Sequence, residues 1–383
     1  MNMLLQGVPS LRLKSPDRFA CSGLTAPDDQ SRQLGPLQPQ SEVGIRLQQL
    51  LLEGDEIFQA AVETELTRLS QELDAEEQQQ SEISHITNEY QVLNRRMVEI
   101  KSAERQRTLE DIMYTSILSQ VTEFGVPLIP SVTGEGLSQL YSTKFTDIQA
   151  LLDVPFPEAK TVVVEHVRKV STGLPKVSGD SPILLPKLGV AQVYASSIIF
   201  GYCLRRVTER YALEKRVRSK EDENPPAGRF FREKLKSIQT ERAKKKGVFV
   251  QVPLSSMITA PRIEESLLPL EDYANECLQQ LGQNDAKNLS KFSSTKAELV
   301  AERHTSALFG DFKELSRCMR ETIADSYSPD EVRQRIEEAM RAGEVESLSL
   351  PIQAVRRLVL EAVAVGTCLW DVERRVDMHL RIR

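Results

Sequence analysis

The stretch that decides the reading runs from Leu185 to Tyr211, LPKLGVAQVYASSIIFGYCLRRVTERY. It returns in altered form from Leu350 to Val376 as LPIQAVRRLVLEAVAVGTCLWDVERRV. At a constant offset of 165 residues and without a gap, eight of the first 26 positions are identical. Leu185, Pro186, Val190, Gly201, Cys203, Leu204, Val207 and Arg210 match Leu350, Pro351, Val355, Gly366, Cys368, Leu369, Val372 and Arg375. Each stretch opens on Leu-Pro, and proline suits the first turn of a helix, where its missing N–H costs nothing. Apolar residues then recur at helical spacing, through Leu188, Val193, Ile198, Tyr202 and Val207 in one copy and Val355, Leu358, Ala362, Leu369 and Val376 in the other. Small residues lie four apart at equivalent places, Ser197 and Gly201 in the first copy, Ala362 and Gly366 in the second. A glycine inside a helix costs about 1 kcal/mol relative to alanine. Two of them at matching points predict that the helices approach closely and pack through these faces. The signature positions expected in that packing are Gly201, Cys203, Leu204, Val207, Gly366, Cys368, Leu369 and Val372. Small residues at this spacing also mark membrane helix pairs. The apolar run from Ala191 to Leu204, however, contains Gln192 and falls short of the roughly 20 residues that a span needs.

Composition points to the same class. Among 383 residues aromatics are only 5 %, and helix formers dominate the middle of the chain. Thr161–Val164 and Val248–Val252 are the short β-branched candidates for extended structure. The fold expected is nearly all-α, with two related helical units packed through the signature helices and a coiled-coil-like helical segment. A net charge of −6 supplies no global basic field, so no nucleic-acid partner is expected. Five cysteines without CxxC spacing fit a reducing compartment and neither a disulfide scaffold nor a zinc site.

Four divisions follow along the chain. Residues 1–40 read as a disordered tail and a plastid or mitochondrial transit peptide, with Arg12, Lys14 and Arg18 preceding any dense acidic cluster and no sustained apolar core of secretory type; the resemblance given below implies the plastid one. Asp28 and Asp29 keep an ordinary disordered tail open as the alternative. Residues 41–220 form the first helical unit. It starts with a helical hairpin broken at Gly54 and Asp55, followed by the seam Ile83, Ile86, Tyr90, Leu93, Met97, Ile100, whose alternating steps of three and four are those of a coiled coil. That seam serves either packing within the chain or self-association. Leu109–Leu118 begins a further helix that stops near the breakers Gly125, Pro127, Pro130 and Gly134, and Phe145–Val154 and Glu158–Val170 make two more. Residues 221–262 read as a linker carrying the basic amphipathic helix 229–246, with eight basic and two acidic residues. This helix either stays solvated at a boundary or touches an anionic membrane surface weakly. Residues 263–383 form the second unit, in which Lys296–Leu308 and Phe312–Ile323 are helices and Ser328-Pro329-Asp330-Glu331 is a helix start.

Three segments carry a resemblance. KLGVAQVYASSIIFGYCLRRVTERYALEK (187–215), ERHTSALFG (302–310) and RRLVLEAVAVGTCLWDVERRVD (356–377), with SEVGIRLQQLL and AAVETEL (41–66) more loosely, resemble the plant and algal family called domain of unknown function 760. That family includes UV-B-induced chloroplast proteins. The resemblance covers most of residues 41–377 in the family's order. It implies a nuclear-encoded plastid protein of helical fold, stromal or thylakoid-associated, with unassigned biochemical activity and a family-level association with UV-B or light stress.

No catalytic constellation emerges beside it. Glu302 and His304 lie two apart and do not share a helix face, and Glu165 and His166 are adjacent and diverge. Cys203 and Cys368 fall on the apolar sides of their helices, where thiols are inert. No catalytic residue, metal set or cofactor is therefore assigned. Arg206, Arg210, Asp371 and Arg375 follow the apolar runs, and arginine's bidentate reach suits carboxylate or phosphate, so they form a possible polar surface. The expectation is a non-enzymatic interaction or stress-response protein with unidentified protein partners, monomeric or homodimeric. One alternative is a ligand-binding module or enzyme with a pocket at the junction of the two copies. The other is a peripheral membrane protein acting through 229–246.

Overall fold

The computed structural model describes residues 34–82, 88–142, 144–153, 158–174, 181–223, 270, 272–274, 292–324 and 328–380. Its elements, in chain order, are α1 (Glu42–Glu53), α2 (Asp55–Glu82), α3 (Asn88–Thr122), α4 (Gly134–Tyr141), α5 (Phe145–Asp153), α6 (Lys160–Thr172), β1 (Ile183–Pro186), α7 (Lys187–Glu223), α8 (Thr295–Phe309), α9 (Phe312–Ile323), α10 (Pro329–Ala342), β2 (Ser347–Leu350) and α11 (Ile352–Leu380). The protein is nearly all-α, as its composition predicts.

Helix ends obey local chemistry. Ser41 caps α1 by accepting from the Gly44 N–H, and the Gly54 break turns the chain into α2. Ser328 and Glu331 form a reciprocal capping box at the start of α10, with Pro329 inside the first turn. Ser294 caps α8, accepting from Ala297 N.

α11 is the axis of the core. From Ala354 to Leu369 only Arg356 escapes full burial, and Val372, Glu373 and Val376 extend the buried stripe. It packs on α2, α3, α5, α6 and α8 and above all on α7. The principal apolar cluster joins residues distant in sequence: Leu47 and Phe58, Ile112 and Ile117, Tyr194 and Ile198, Val300 and Phe309, Leu358 and Leu369.

At the α7–α11 crossing the two backbones touch. A Cβ placed on Gly201 would stand 2.0 Å from the Val363 carbonyl oxygen, and one on Gly366 would stand 2.0 Å from that of Ile198. The contacts are reciprocal, because Val363 occupies in the second stretch the place that Ile198 occupies in the first. The strands behave alike: β1 and β2 pair antiparallel, with Ile183 opposite Leu350 and Leu185 opposite Leu348. Thr367 Oγ1 donates to Val363 O at 3.0 Å within the same crossing.

Several local expectations are corrected. The first Leu-Pro does not open a helix. Leu185 and Pro186 end β1, α7 begins at Lys187, and Lys187 N donates to Glu346 O across the strand pair. In the second Leu-Pro, Leu350 ends β2 and Pro351 lies between strand and helix; α11 starts after it, and the Pro351 carbonyl accepts from Ala354 N and Val355 N. The signal missed was alternation: Ile183 and Leu185 are buried while Leu184 is exposed. Thr161–Val164 is not extended but lies in α6, where Val162 and Val163 face the core; tertiary packing overrides β-branched preference there. Leu109–Leu118 does not begin a helix but belongs to the continuous helix α3, which ends at Thr122, near Gly125 as expected; Gly134 starts α4. Ile83, Ile86, Val248–Val252 and the helix 229–246 lie outside the described residues. Of the predicted seam, Met97 and Ile100 are exposed, at 48 % and 60 %.

Substituting Gly201 or Gly366 tests the crossing. Each Gly→Ala change drives a methyl into a carbonyl oxygen of the facing helix, and the expected loss is about 3 kcal/mol or more. Gly189→Ala in α7, whose added Cβ meets only Pro186 Cγ at 3.3 Å, should stay within about 1 kcal/mol of the parent in urea denaturation.

Candidate functional site

The signature side chains serve the interior. Cys203, Leu204, Val207, Cys368, Leu369 and Val372 are all buried. Burial pushes the Cys203 thiol up to about 11 and raises that of Cys368 as well, so neither supplies thiolate at neutral pH. The four charged residues expected to form a surface do not converge. Arg206 stacks over the Trp370 ring, 5.6 Å from its centroid. Arg210 pairs with Glu214 one turn on at 3.1 Å, and Asp371 accepts from Arg205 Nε at 2.9 Å. Arg375 reaches α2 and donates to Gln59 at 2.6 Å. Trp370 is half-buried and donates Nε1–H to Glu209 at 3.0 Å, which Arg374 also engages.

The polar groups that do meet lie inside the body, where α3, α7, α8 and α11 adjoin. His304 of α8 shares a hydrogen bond of 2.8 Å between Nε2 and the Tyr194 hydroxyl of α7. Tyr194 also donates to Glu361 Oε1 of α11 at 3.4 Å. Both Glu361 oxygens lie 3.3 Å from the Ile129 N–H, in the segment between α3 and α4. One turn before Glu361, Arg357 donates to the Pro127 carbonyl at 3.1 Å and lies 3.8 Å from Asp147 of α5. Tyr114 of α3 packs its ring 5.8 Å from that of His304. His304, Glu361 and Tyr194 are each about 1 % exposed. With the tyrosine proton directed to Glu361, Nε2 carries the imidazole proton and Nδ1 is a buried acceptor with no protein partner; Arg357 Nε likewise has none.

Burial fixes the protonation of this group. It lowers His304 to about 3, so the ring is neutral. Burial also raises Glu361 to about 7, against the opposing pull of Arg357 and of the bonds from Ile129 and Tyr194. Chemically the arrangement can hold one proton between a carboxylate, a phenol and an imidazole. It also ties the 126–129 segment to α11.

A second group surrounds Tyr202 of α7. Its hydroxyl bonds Glu373 of α11 and accepts from Ser293 N at 2.9 Å, while Trp370 and Phe292 meet the ring edge-on. Glu373 Oε1 is buried without a partner. His166 stacks on Phe200 at 3.9 Å, bonds Ser197 Oγ, and is held down to about 4 by burial. Glu165 turns away to Arg168. Among the described residues no three His, Cys, Asp or Glu side chains group as metal ligands, and no described helix is long and apolar enough to cross a membrane.

The segment ERHTSALFG now has a physical account. Arg303 binds Glu110 at 2.8 Å and Asp111 at 3.4 Å on α3, His304 meets Tyr194, and Phe309 enters the core. Sequence reasoning missed Glu361, Asp111, Tyr194 and Arg357. The available signal was an acid set among apolar residues, in VLEAVAV around Glu361 and LEDIMYTSIL around Asp111.

Comparison with known proteins agrees with the resemblance read from the sequence. The model of the family described as "Protein of unknown function (DUF760)" matches residues 92–217. The chain is similar to a chloroplastic UV-B-induced protein of Arabidopsis thaliana, 29 % identical over 358 residues, covering 90 % of this chain and 76 % of that protein. No solved structure matches.

The opposed shifts of Glu361 and His304 give a signed prediction. A raised carboxyl contributes stability that is full below its unfolded value, about 4.3, and is lost as pH rises to about 7. A depressed imidazole contributes stability that is full above about 6.5 and is lost on acidification towards about 3. The two slopes oppose each other between about pH 4.3 and 6.5. Glu361→Gln removes one of them, so the variant should lose more stability than the parent between pH 7 and pH 5. The gap should widen by up to about 1.4 kcal/mol per pH unit, read from urea titrations at each pH.

Proposed function

We propose, taking the family match over residues 92–217 as premise, that this chain is a plastid protein that acts by binding other proteins, in the stress and light response that we associate with the UV-B induction in its relative's name. The observation that carries the reading is the long exposed stretch of α3. From Arg95 to Arg107 every residue but Val98 and Arg105 is exposed, Met97 and Ile100 among them. Single exposed apolar side chains are ordinary on protein surfaces. Two at a coiled-coil step, continuing the sequence seam, suit a partner helix. Arg105 meets Glu76 of α2 near the base, so the two helices remain neighbours where the stretch leaves the core. The chloroplastic relative supports the plastid address.

Arg206 meets Trp370, Arg210 meets Glu214, Asp371 meets Arg205 and Arg375 meets Gln59, contacts that favour a bracing role over a ligand pocket between the two signature stretches. The reciprocal contacts at Gly201 and Gly366 and across β1–β2 support descent of the two stretches from one strand–helix unit.

The test uses tagged protein in chloroplast extract, comparing the parent with Met97→Asp/Ile100→Asp. The double variant should keep the parent melting temperature within about 1 °C, because surface changes cost little. It should also lose the co-purifying protein. An unchanged set of partners would remove the assignment of this surface, and a co-purifying small molecule without protein would favour a ligand-binding role.

A further inference from the structure

The chain preceding α1 is built into the body. Gly35 and Pro36 are buried, and Leu34 and Leu37 pack against the core. The approach at Gly35 is close, since a Cβ there would lie 2.5 Å from Tyr114 Oη and 2.8 Å from Leu118 Cδ2. Leu37 N donates to the Tyr114 hydroxyl at 3.2 Å. Farther on, one buried carboxylate gathers three donors. Asp111 Oδ2 accepts from Gln40 N at 2.7 Å, Ser41 N at 2.6 Å and Ser41 Oγ at 2.8 Å. Asp111 has no exposure, and its Oδ1 faces Arg303 at 3.4 Å. Gly44 packs against the same carboxylate, with a virtual Cβ 2.7 Å from Asp111 Cβ.

Ser41 therefore has two jobs. Its backbone and hydroxyl satisfy Asp111, and its hydroxyl accepts from Gly44 N at 3.0 Å to start α1. A chain beginning after Ser41 would lack the cap and leave a fully buried carboxylate facing Arg303 alone. Removing one partner of a buried charged hydrogen-bond group is costly, because the other keeps its desolvation penalty. A chain beginning between Gly35 and Ser41 would open the Tyr114 contact and place a new ammonium where backbone now packs.

We infer that residues 34–41 are a structural strap of the mature protein, and that any plastid leader is removed by a processing peptidase cutting on the N-terminal side of Leu34. The leader itself rests on the plastid reading above; the strap does not. This moves the boundary seven residues ahead of the helical start at Ser41, which the sequence pattern alone would take as the beginning of the fold.

Two measurements test it. The first imports the full-length radiolabelled chain into isolated chloroplasts and sequences the N-terminus of the protease-protected product. A first residue at or before Leu34 is expected, and any later start overturns the inference. Failure to import removes the plastid reading and the cleavage with it. The second compares melting temperatures of the full chain with chains lacking 1–33 and 1–41. Loss of 1–33 should leave the value within about 1 °C, and loss of 1–41 should lower it by about 5 °C or more. Asp111→Asn should reproduce part of that drop in the chain lacking 1–33 and little of it in the chain lacking 1–41. Equal melting temperatures for the two truncations would overturn the strap whatever the import result.

Discussion

The contact of two backbones at Gly201 and Gly366 is the constraint that the rest of the fold serves. Helix axes ordinarily stay 8–10 Å apart because side chains hold them there. Here each glycine receives a carbonyl of the facing helix, so the axes come as near as the main chain allows. Such proximity leaves no room for side chains between the helices. The apolar surface of α11 must then be buried by elements on its flanks, and α2, α3, α5, α6 and α8 supply that cover. The β1–β2 pair fixes the register at one end, since its hydrogen bonds place Leu185 against Leu348 immediately before each helix begins. At the other end Arg205–Asp371, Arg206–Trp370 and Glu209–Arg374 bridge α7 and α11 in sequence. These bridges are partly exposed, and pairs of that kind contribute little stability. Their effect is to exclude a slipped register, which would set like charges opposite one another.

A core held this tightly carries more polar groups than apolar burial requires. Glu361, Arg357, His304, Tyr194 and Glu373 all lie in or against the helix pair. Polar groups in such a place cost stability unless they are bonded, and their bonds run to connecting segments whose apolar side chains also pack in the core. Glu361 and Arg357 catch the backbone at Ile129 and Pro127, Glu373 and Tyr202 catch the entry to α8, and Asp111 catches the strap before α1. The pattern assigns these groups to docking connections onto the helices. It also accounts for the segment around His304, where Arg303 and Phe309 serve the same end.

The fold was legible where periodicity and composition speak. The helix pair was readable from the recurrence of one stretch, and Gly201 and Gly366 stood out because a glycine inside a helix needs a reason. The helix start at Ser328 followed from capping chemistry. The strands were not read, since four residues give too short a pattern, and Leu-Pro fits a helix start equally well. The buried network was hidden for a different reason. His304 and Tyr194 are 110 residues apart and Glu361 and Ile129 are 232 apart. No local spacing announces such pairs. At Arg206, Arg210, Asp371 and Arg375 the spacing says which residues follow an apolar run and not which partners meet them.

Stability and exposure divide this chain unevenly, and the division bears on what it does. Where α3 runs beside α1, α8 and α11, from Leu109 to Val121, its side chains are largely buried and its acids are bound. Twelve residues earlier the same helix offers Met97 and Ile100 to solvent. A continuous helix transmits position, since its hydrogen-bonded backbone leaves little freedom between one turn and the next. The exposed end of α3 is thus oriented by a core that Glu110 and Asp111 fasten through Arg303. A partner bound there would meet a surface set by the body, and would pay little to order it. Under the binding role proposed above, the polar fastenings of the interior would bear on it at a distance, by setting the direction of the helix that carries Met97 and Ile100.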